Sequence, residues 1–255
     1  MTRRRFYAPP EAFAPDGARV VLSREETAHL VNVLRLRAGD EVFVFDGAGR
    51  EFRCVITEAR GRDGRAPLEV VQQVEPQRPE SPLELTLAVA LLKGEKFDLV
   101  VQKACELGVA RIVPVVTARG DVRLRAGSGA DARVARWQRL ALEAAKQSGR
   151  ARVPTVSAPV SLEPLLTNEA DASSMRLLFT ERDGCGLLET SNSWAACPST
   201  LTALVGPEGG WADEELALGR AAGWQLITLG GRTLRAESAA IVVPALLQHL
   251  CGDLR

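Results

Sequence analysis

The chain of 255 residues has few of the side chains that most often bind zinc. Histidine occurs only as His29 and His249. The five cysteines are odd in number and contain no C-x-x-C pair. No spacing of a zinc site is therefore present, and we expect no metal.

Long apolar runs are also missing. The chain starts with Met1-Thr2-Arg3-Arg4-Arg5 and has no hydrophobic signal core after it. No uninterrupted apolar run reaches the length that spans a bilayer. These absences, with the unpaired cysteines, predict a cytoplasmic protein with no membrane partner.

The net charge is zero, since 32 basic and 32 acidic residues cancel, but the charges are unevenly distributed. Residues 119–152 hold nine basic and only three acidic side chains. A local basic segment suits a polyanion, and a solvated helix face is the alternative. Only four basic residues are lysines, Lys93, Lys96, Lys103 and Lys146. A retained lysine can mark a place that needs a compact ammonium, with chance as the alternative.

The first 74 residues have the pattern of a small β domain. We predict strands over residues 19–22, 41–45, 51–58 and 68–74. A helix is predicted over residues 24–34, with Ser23 as its N-cap and Glu26 as the capping-box partner. Residues 75–82 contain three prolines and have the composition of a linker.

From residue 83 onward, strand and helix patterns alternate. The predicted strands cover residues 83–92, 112–116, 177–180, 201–205 and 226–229. The predicted helices cover residues 95–107, 130–148, 212–222 and 238–250, with Gly108 and Gly149 ending the first two, Ser238 capping the last and Pro244 kinking it or marking its start. This alternation predicts an α/β domain with a parallel sheet over residues 83–255.

Two glycine-containing loops, each between a strand and a helix, carry the functional signal. They are Gly206-Pro207-Glu208-Gly209-Gly210 and Leu229-Gly230-Gly231-Arg232-Thr233-Leu234-Arg235-Ala236-Glu237. Because such turns meet at the carboxyl edge of a parallel sheet, the sequence predicts one ligand pocket there.

The composition of these loops indicates the kind of ligand. The first loop does not match a phosphate-binding pattern, and acidic residues crowd the start of the helix after it, where they would compete with a phosphate. Glycine backbones can approach a ligand closely. A compact, nucleoside-like, cationic or neutral ligand such as S-adenosylmethionine fits, and an ordinary glycine turn is the alternative.

The motifs of the chain resemble those of the RsmE family of 16S ribosomal RNA uridine N3-methyltransferases, within the SPOUT class. The likeness covers nearly the whole chain. The matching segments are Arg4-Arg5-Phe6-Tyr7, residues 29–40, Asp46-Gly47, Lys93-Gly94-Glu95-Lys96, residues 102–103, 106–109, 136–137 and 144–150, Pro154, and the two loops. The loops depart from the family pattern at Gly231, Ala236 and Ser238, and Ala236 lacks the hydroxyl usual there.

The resemblance implies a PUA-like RNA-binding domain over residues 1–74 and a SPOUT methyltransferase domain with a C-terminal trefoil knot over residues 83–255. It implies a homodimer that acts on 16S ribosomal RNA, or on the small ribosomal subunit, near the decoding region. It also implies that the S-adenosylmethionine pocket is lined by Leu204, Gly206, Gly209, Gly210, Leu229, Gly230, Leu234 and Ala236, and bordered by Thr180 and Glu181.

The implied reaction assigns roles to charged residues. Arg235 is the candidate for stabilising the uridine anion, and a salt bridge with Glu237 is the alternative. Glu237 and Glu208 are candidates for proton acceptance or for attraction of the sulfonium, with helix capping as the alternative. The candidates for phosphate contacts are Arg3, Arg4, Arg5, Arg35, Arg37, Arg136, Arg139, Lys146 and Arg150.

Two other functions fit the same residues. One is SPOUT methylation of another RNA, such as ribose 2′-O-methylation of transfer RNA. The other is a non-catalytic RNA-binding or ribosome-assembly protein that keeps the fold.

Overall fold

A computed structural model describes residues 3–120, 130–168 and 174–254. The chain forms two compact units. The first comprises Met1–Glu80 and Ala145–Val153, and the second comprises Ser81–Ala144 and Pro154–Arg255. The linker predicted over residues 75–82 separates the two units once. It does not account for the return of the chain to the first unit over Ala145–Val153.

The first unit is built on a five-stranded sheet. Its strands are β1 (Arg5–Tyr7), β2 (Arg19–Val21), β3 (Glu41–Phe45), β4 (Glu51–Ile56) and β5 (Pro67–Val74). They lie in the order β1-β3-β4-β5-β2, with β1 and β3 parallel and the other pairs antiparallel. The sheet curls into a half-barrel around a core that includes Phe6, Leu30, Val42 and Leu68, which are fully buried.

The helix of this unit is shorter than predicted. Helix α1 (Arg24–Ala28) is followed by a π-helical turn over His29–Val33, closed by a hydrogen bond from Leu34 N to His29 O (3.1 Å). Arg35 then adopts a φ of 54°, a left-handed conformation that ends the turn.

The predicted N-cap of α1 is confirmed, but only half of the capping box forms. The Ser23 hydroxyl accepts a hydrogen bond from Glu26 N at 3.1 Å. The buried Glu26 carboxylate instead accepts a hydrogen bond from Tyr7 N (3.3 Å) and pairs with Lys146. The Glu26 side chain, which the local pattern assigned to the capping box, therefore makes tertiary contacts instead.

Backbone hydrogen bonds and the Lys146–Glu26 ion pair join the segment Ala145–Val153 to the rest of the first unit. Gly49 N donates to Ala151 O (3.2 Å), and Val153 N donates to Gly47 O (2.9 Å). Gly149, with a φ of 82°, ends the long helix that leads into this segment.

The second unit contains an eight-stranded parallel sheet. Its strands are β6 (Glu84–Ala90), β7 (Arg111–Val116), β8 (Thr155–Val156), β9 (Val160–Ser161), β10 (Met175–Phe179), β11 (Cys185–Gly186), β12 (Thr200–Val205) and β13 (Gln225–Thr228). They lie in the order β11-β13-β10-β12-β6-β7-β8, and β9 pairs with β7. All described pairs are parallel, as the near-continuous apolar strands predict.

Six helices of the described ranges accompany these strands. They are α2 (Lys96–Glu106), α3 (Ala130–Ser148), α4 (Leu162–Leu166), α5 (Leu187–Asn192), α6 (Asp213–Ala221) and α7 (Ala236–Cys251). Helix α3 begins in the second unit, and its last four residues belong to the first. No helix in the described ranges is both long and apolar enough to cross a membrane.

Every strand and helix predicted from residue 83 onward is present, with ends that differ by at most two residues. The elements that were missed, β1, β8, β9, β11, α4 and α5, have two to six residues each, too few for a periodic pattern.

The predicted cap of α7 is wrong. Arg235 is the N-cap, and its carbonyl accepts a hydrogen bond from Ala239 N at 2.8 Å, so the helix begins before Ser238. Pro244 lies buried inside the helix rather than at its start.

Candidate active site

Three neighbouring strands, β13, β10 and β12, end at one edge of the parallel sheet, and their loops enclose a cavity of about 670 Å³. The cavity lies wholly within the second unit. Its described lining consists of Lys96, Phe179–Glu181, Val205–Gly210, Thr228–Ala236, Ala239 and Val243. The prediction that both glycine loops border one pocket is therefore confirmed.

The first loop, residues 206–210, is shaped by the buried tryptophan that follows it. Trp211 is 1% exposed, and its Nε1 donates a hydrogen bond to Phe179 O at 2.8 Å. A Cβ added to Gly206 would lie 2.8 Å from the indole, so only glycine fits against this ring. Gly210 has a φ of 67° and turns the backbone toward the helix.

A third loop, after β7, supports the first. Glu215 accepts hydrogen bonds from Ala212 N (2.9 Å) and from Ala118 N (2.8 Å), and so joins the start of α6 to that loop. A Cβ added to Gly209 would lie 3.0 Å from Arg119 O. Gly209 thus packs closely against the loop after β7.

The second loop, residues 229–237, ends in the first two residues of α7 and leaves open space beside its glycine backbone. Gly230 and Gly231 have φ values of 68° and 69°, and an added Cβ at either would meet nothing within 4 Å. Gly230 N donates to the Thr228 hydroxyl at 3.2 Å. These glycines are required by conformation rather than by packing, and their backbone is accessible from the cavity.

Lys96, the first residue of α2, joins both loops by charge. Its Nζ lies 3.1 Å from Glu208 Oε1 and 3.4 Å from Glu237 Oε2. The hydrogen bond to Glu208 is the main cause that raises the pKa of the Lys96 ammonium above its usual value. The ammonium therefore stays charged at neutral pH.

Arg232 and Arg235 are exposed at the cavity, and neither guanidinium has a hydrogen-bond or ion-pair partner in the described part of the chain. The alternative salt bridge between Arg235 and Glu237 does not form, because Glu237 pairs with Lys96. Arg235 is thus available to a ligand in the cavity.

Of the ten residues predicted to line or border the cofactor pocket, nine lie at this cavity, Leu204 being the exception. Glu208, the candidate for attraction of the sulfonium, lies there too. Leu204 is fully buried among Trp211, Leu178 and Leu216 of the core, because alternate side chains of β12 point to opposite faces of the sheet. Its neighbour Val205 lines the cavity. Glu237 is not among the described lining residues, although it contacts Lys96.

Sequence reasoning assigned no site role to Lys96, Arg232 or Thr228. For Lys96 a signal existed in the scarcity of lysine. Its position at the first turn of a helix after a buried strand would also have placed it at the same sheet edge.

Two of the nine predicted phosphate contacts, Arg5 and Arg150, have side chains that are almost fully buried. The Arg5 side chain is 6% exposed, lies 3.1 Å from the buried Glu51 carboxylate, and stacks on Phe45. The Arg150 side chain is also 6% exposed and lies 2.6 Å from Glu80. Both guanidiniums serve ion pairs inside the first unit, which leaves little surface for a phosphate.

The other candidates fall into two groups. Arg3, Lys146 and Arg136 pair with Glu51, Glu26 and Asp98, respectively, and keep partly exposed side chains. Arg4, Arg35, Arg37 and Arg139 are exposed, and the structure gives their side chains no partner within the described ranges. Arg123 and Arg125 of the basic segment lie outside those ranges.

The chain matches two family models. Residues 79–248 match the RNA methyltransferase domain, and residues 22–64 match the RNA methyltransferase PUA domain. The first match covers more than half of the chain and includes the whole cavity.

Named relatives agree with these matches. The chain is 33% identical to ribosomal RNA small subunit methyltransferase E of Synechocystis sp., over 91% of this chain and 74% of that protein. It is 35% identical to the protein of the same name from Mycobacterium bovis, over 89% and 86%. The crystal structure of this methyltransferase from Neisseria gonorrhoeae, bound to S-adenosyl methionine, superimposes with a TM-score of 0.84 at 34% identity and covers both chains completely.

Proposed function

This chain belongs to the ribosomal RNA small subunit methyltransferase E family, and on that basis we propose that it transfers a methyl group from S-adenosylmethionine to N3 of a uridine in 16S ribosomal RNA, near the decoding region. The observation that carries the proposal is the cavity at the sheet edge, where two glycine loops and an exposed arginine meet.

The residues present fit this cofactor. The cavity volume of about 670 Å³ is in the range of small-molecule sites. The open backbone of Gly230 and Gly231 can present peptide groups to an adenine, and the carboxylates of Glu181 and Glu208 suit a cationic ligand. When bound, S-adenosylmethionine supplies an activated methyl group on a sulfonium.

The predicted pocket residues would hold the cofactor as follows. Thr180, Glu181, Gly206, Glu208, Gly209, Gly210, Leu229, Gly230, Leu234 and Ala236 line the cavity and would contact it, mainly through backbone groups. Ala236 has no hydroxyl, but it is the buried first residue of α7 and still lines the cavity.

Arg235 is the residue we assign to the reacting base. N3 of uracil is a nucleophile only after its proton leaves, and each pKa unit of that step costs about 1.4 kcal/mol. A guanidinium that donates to a uracil carbonyl oxygen favours the anion. Arg235 is exposed at the cavity and unpartnered in the described chain, so it can make this contact without first breaking an ion pair.

We propose a structural role for Glu237 in place of the predicted role as proton acceptor. Its carboxylate pairs with Lys96, and its side chain is only 15% exposed. We assign it to the structure of the loop rather than to the N3 proton.

The first unit would hold RNA, since it carries the PUA match and the exposed Arg4, Arg35 and Arg37. This keeps the predicted division into an RNA-binding domain over residues 1–74 and a methyltransferase domain over residues 83–255. An rRNA substrate would place the protein in the cytoplasm.

A homodimer is part of the proposal. Leu99 of α2 and Leu246 of α7 are 41% and 36% exposed, and these two helices pack against each other. A second copy covering these side chains would remove apolar surface from water. Light scattering should give the mass of a dimer, and Leu246→Glu should give that of a monomer.

The decisive experiment deletes the gene and follows 16S ribosomal RNA by reverse transcription. A methyl group at N3 blocks base pairing, so a stop near the decoding region should disappear in the mutant and return with the wild-type gene. A stop that persists would reject the assignment.

Complementation with variants tests Arg235. Arg235→Ala should lower the methylation rate about 100-fold or more, since removal of one charge-stabilising donor has effects of this size, while binding of S-adenosylhomocysteine stays intact. Arg235→Lys keeps the charge without the planar fork and should recover only part of the rate. Full activity in Arg235→Ala would make the residue structural.

A further inference from the structure

Lys96 lies at a position that its own helix disfavours. It is the first residue of α2, and no side chain caps this helix end. A cation in the first turn of a helix opposes the helix dipole. A reason for an ammonium here must therefore come from outside the helix.

That reason lies in the loops of two other strands. Glu208 follows β12 and Glu237 follows β13, while Lys96 follows β6. In the sheet, β10 and β12 lie between β13 and β6, a separation of about 14 Å. One nitrogen, Lys96 Nζ, nevertheless lies within 3.4 Å of both carboxylates.

We propose that Lys96 is a positioning residue that holds the two glycine loops in the spacing that accepts the cofactor, an inference that rests on the proposed function. Lys96 does so by neutralising the repulsion between Glu208 and Glu237. The Glu237 side chain is largely buried, and its Oε2 accepts no hydrogen bond within the described chain, so the nearby ammonium is its main compensation.

Removal of the ammonium has a defined consequence. Two carboxylates that converge on the same point would repel each other, and the loops that carry them would move apart. The whole adenosyl pocket would then loosen, whichever part of the ligand is nearest to Lys96.

The chain offers a matched control on the same helix. Lys103 Nζ lies 2.7 Å from Glu106, a comparable ion pair, and neither residue is among the described residues that line the cavity. Lys103→Met removes the same charge from α2 without separating the loops.

The test measures binding of two probes by calorimetry, S-adenosylhomocysteine and methylthioadenosine, which lacks the amino-acid end. Lys96→Met should weaken both by about tenfold, within the range of couplings in one ion-pair network. Lys96→Arg should bind both probes nearly as well as wild type. Lys103→Met should bind them as well as wild type. Adding Glu237→Gln to Lys96→Met should restore part of the affinity, because the repulsion is gone; this rescue also applies if Lys96→Met alone folds poorly.

Three results would overturn the inference. These are equal binding by Lys96→Met and wild type, a loss confined to S-adenosylhomocysteine, which would make Lys96 a direct contact of the amino-acid end, or an equal loss in Lys103→Met. Failure of the wild-type protein to bind either probe would instead count against the proposed function.

Discussion

The indole of Trp211 lies so close to Gly206 that a single added methyl group would come within 2.8 Å of its Cε2 and Nε1 atoms. Trp211 fills the core beneath the cavity and is tied to β10 by its hydrogen bond to Phe179 O. The first glycine loop is thus positioned by packing against Trp211. The second is shaped by the left-handed backbone conformation of its glycines.

This relationship predicts the effect of Gly206→Ala. The indole must shift or the loop must rise, and overpacking of this kind costs about 1–3 kcal/mol of unfolding free energy. Urea unfolding should show that loss, and calorimetry should show weaker binding of S-adenosylhomocysteine. Gly186→Ala is the control, because an added Cβ there meets only Glu189 atoms at 3.8 Å or more. Similar losses in both variants would contradict the packing argument.

Glu215 gives a second prediction about the same loop. Each of its carboxylate oxygens accepts one backbone N–H, from Ala212 and from Ala118. Glu215→Gln turns one acceptor into a donor that faces an N–H, so the unfolding free energy should fall by about 1–3 kcal/mol. Glu214→Gln removes the same charge from an exposed position in the same turn and should cost a few tenths of a kcal/mol, about what the helix dipole contributes. Equal losses would show that charge alone matters.

Much of the fold could be predicted because its signals are local. Buried parallel strands such as β6 are near-continuous apolar runs, and glycines such as Gly108 and Gly149 mark helix ends. The alternation of strands and helices also predicted the edge of the sheet at which the site lies, since parallel strands share one carboxyl edge.

The charge pairing could not be predicted, because it joins residues far apart in sequence. Arg5 pairs with Glu51 and donates to Arg150 O, 145 residues away, and nothing near Arg5 in sequence distinguishes it from the exposed Arg4. Glu208, the nearer of the two partners of Lys96, is likewise 112 residues away. The trefoil knot and the homodimer stay predictions.

The buried thiol of Cys54 predicts a pH dependence. Burial raises the pKa of this thiol from 9.0 to about 12. The protonated thiol contributes fully to the free energy of unfolding below pH 9, where the unfolded chain also keeps the proton. Between the two pKa values only the unfolded chain loses that proton, so stability falls as pH rises.

The size of the effect can be measured against a variant without the thiol. From pH 8 to pH 10, wild type should lose about 1.4 kcal/mol more unfolding free energy than Cys54→Val, in which an apolar side chain of similar size replaces the thiol. Urea unfolding at each pH provides the comparison. Parallel pH profiles for the two proteins would mean that the thiol ionises in the folded state as readily as in the unfolded chain.

Arg37 and Arg5 should separate RNA binding from stability. Arg37 is exposed and its side chain is unpartnered in the described ranges, so Arg37→Ala should weaken binding to a 16S ribosomal RNA fragment and lower the slope of log affinity against log salt by about 0.7–0.9, with no change in unfolding. Arg5→Ala removes the more buried of the two guanidiniums that pair with the fully buried Glu51, leaving Arg3 on the other carboxylate oxygen. It should lower the unfolding free energy by about 1–3 kcal/mol, with an unchanged salt slope where the protein is folded. Titrations at several salt concentrations, with unfolding curves for both variants, make the comparison. A reduced slope for Arg5→Ala at full stability would show that this guanidinium leaves its ion pair to reach the RNA.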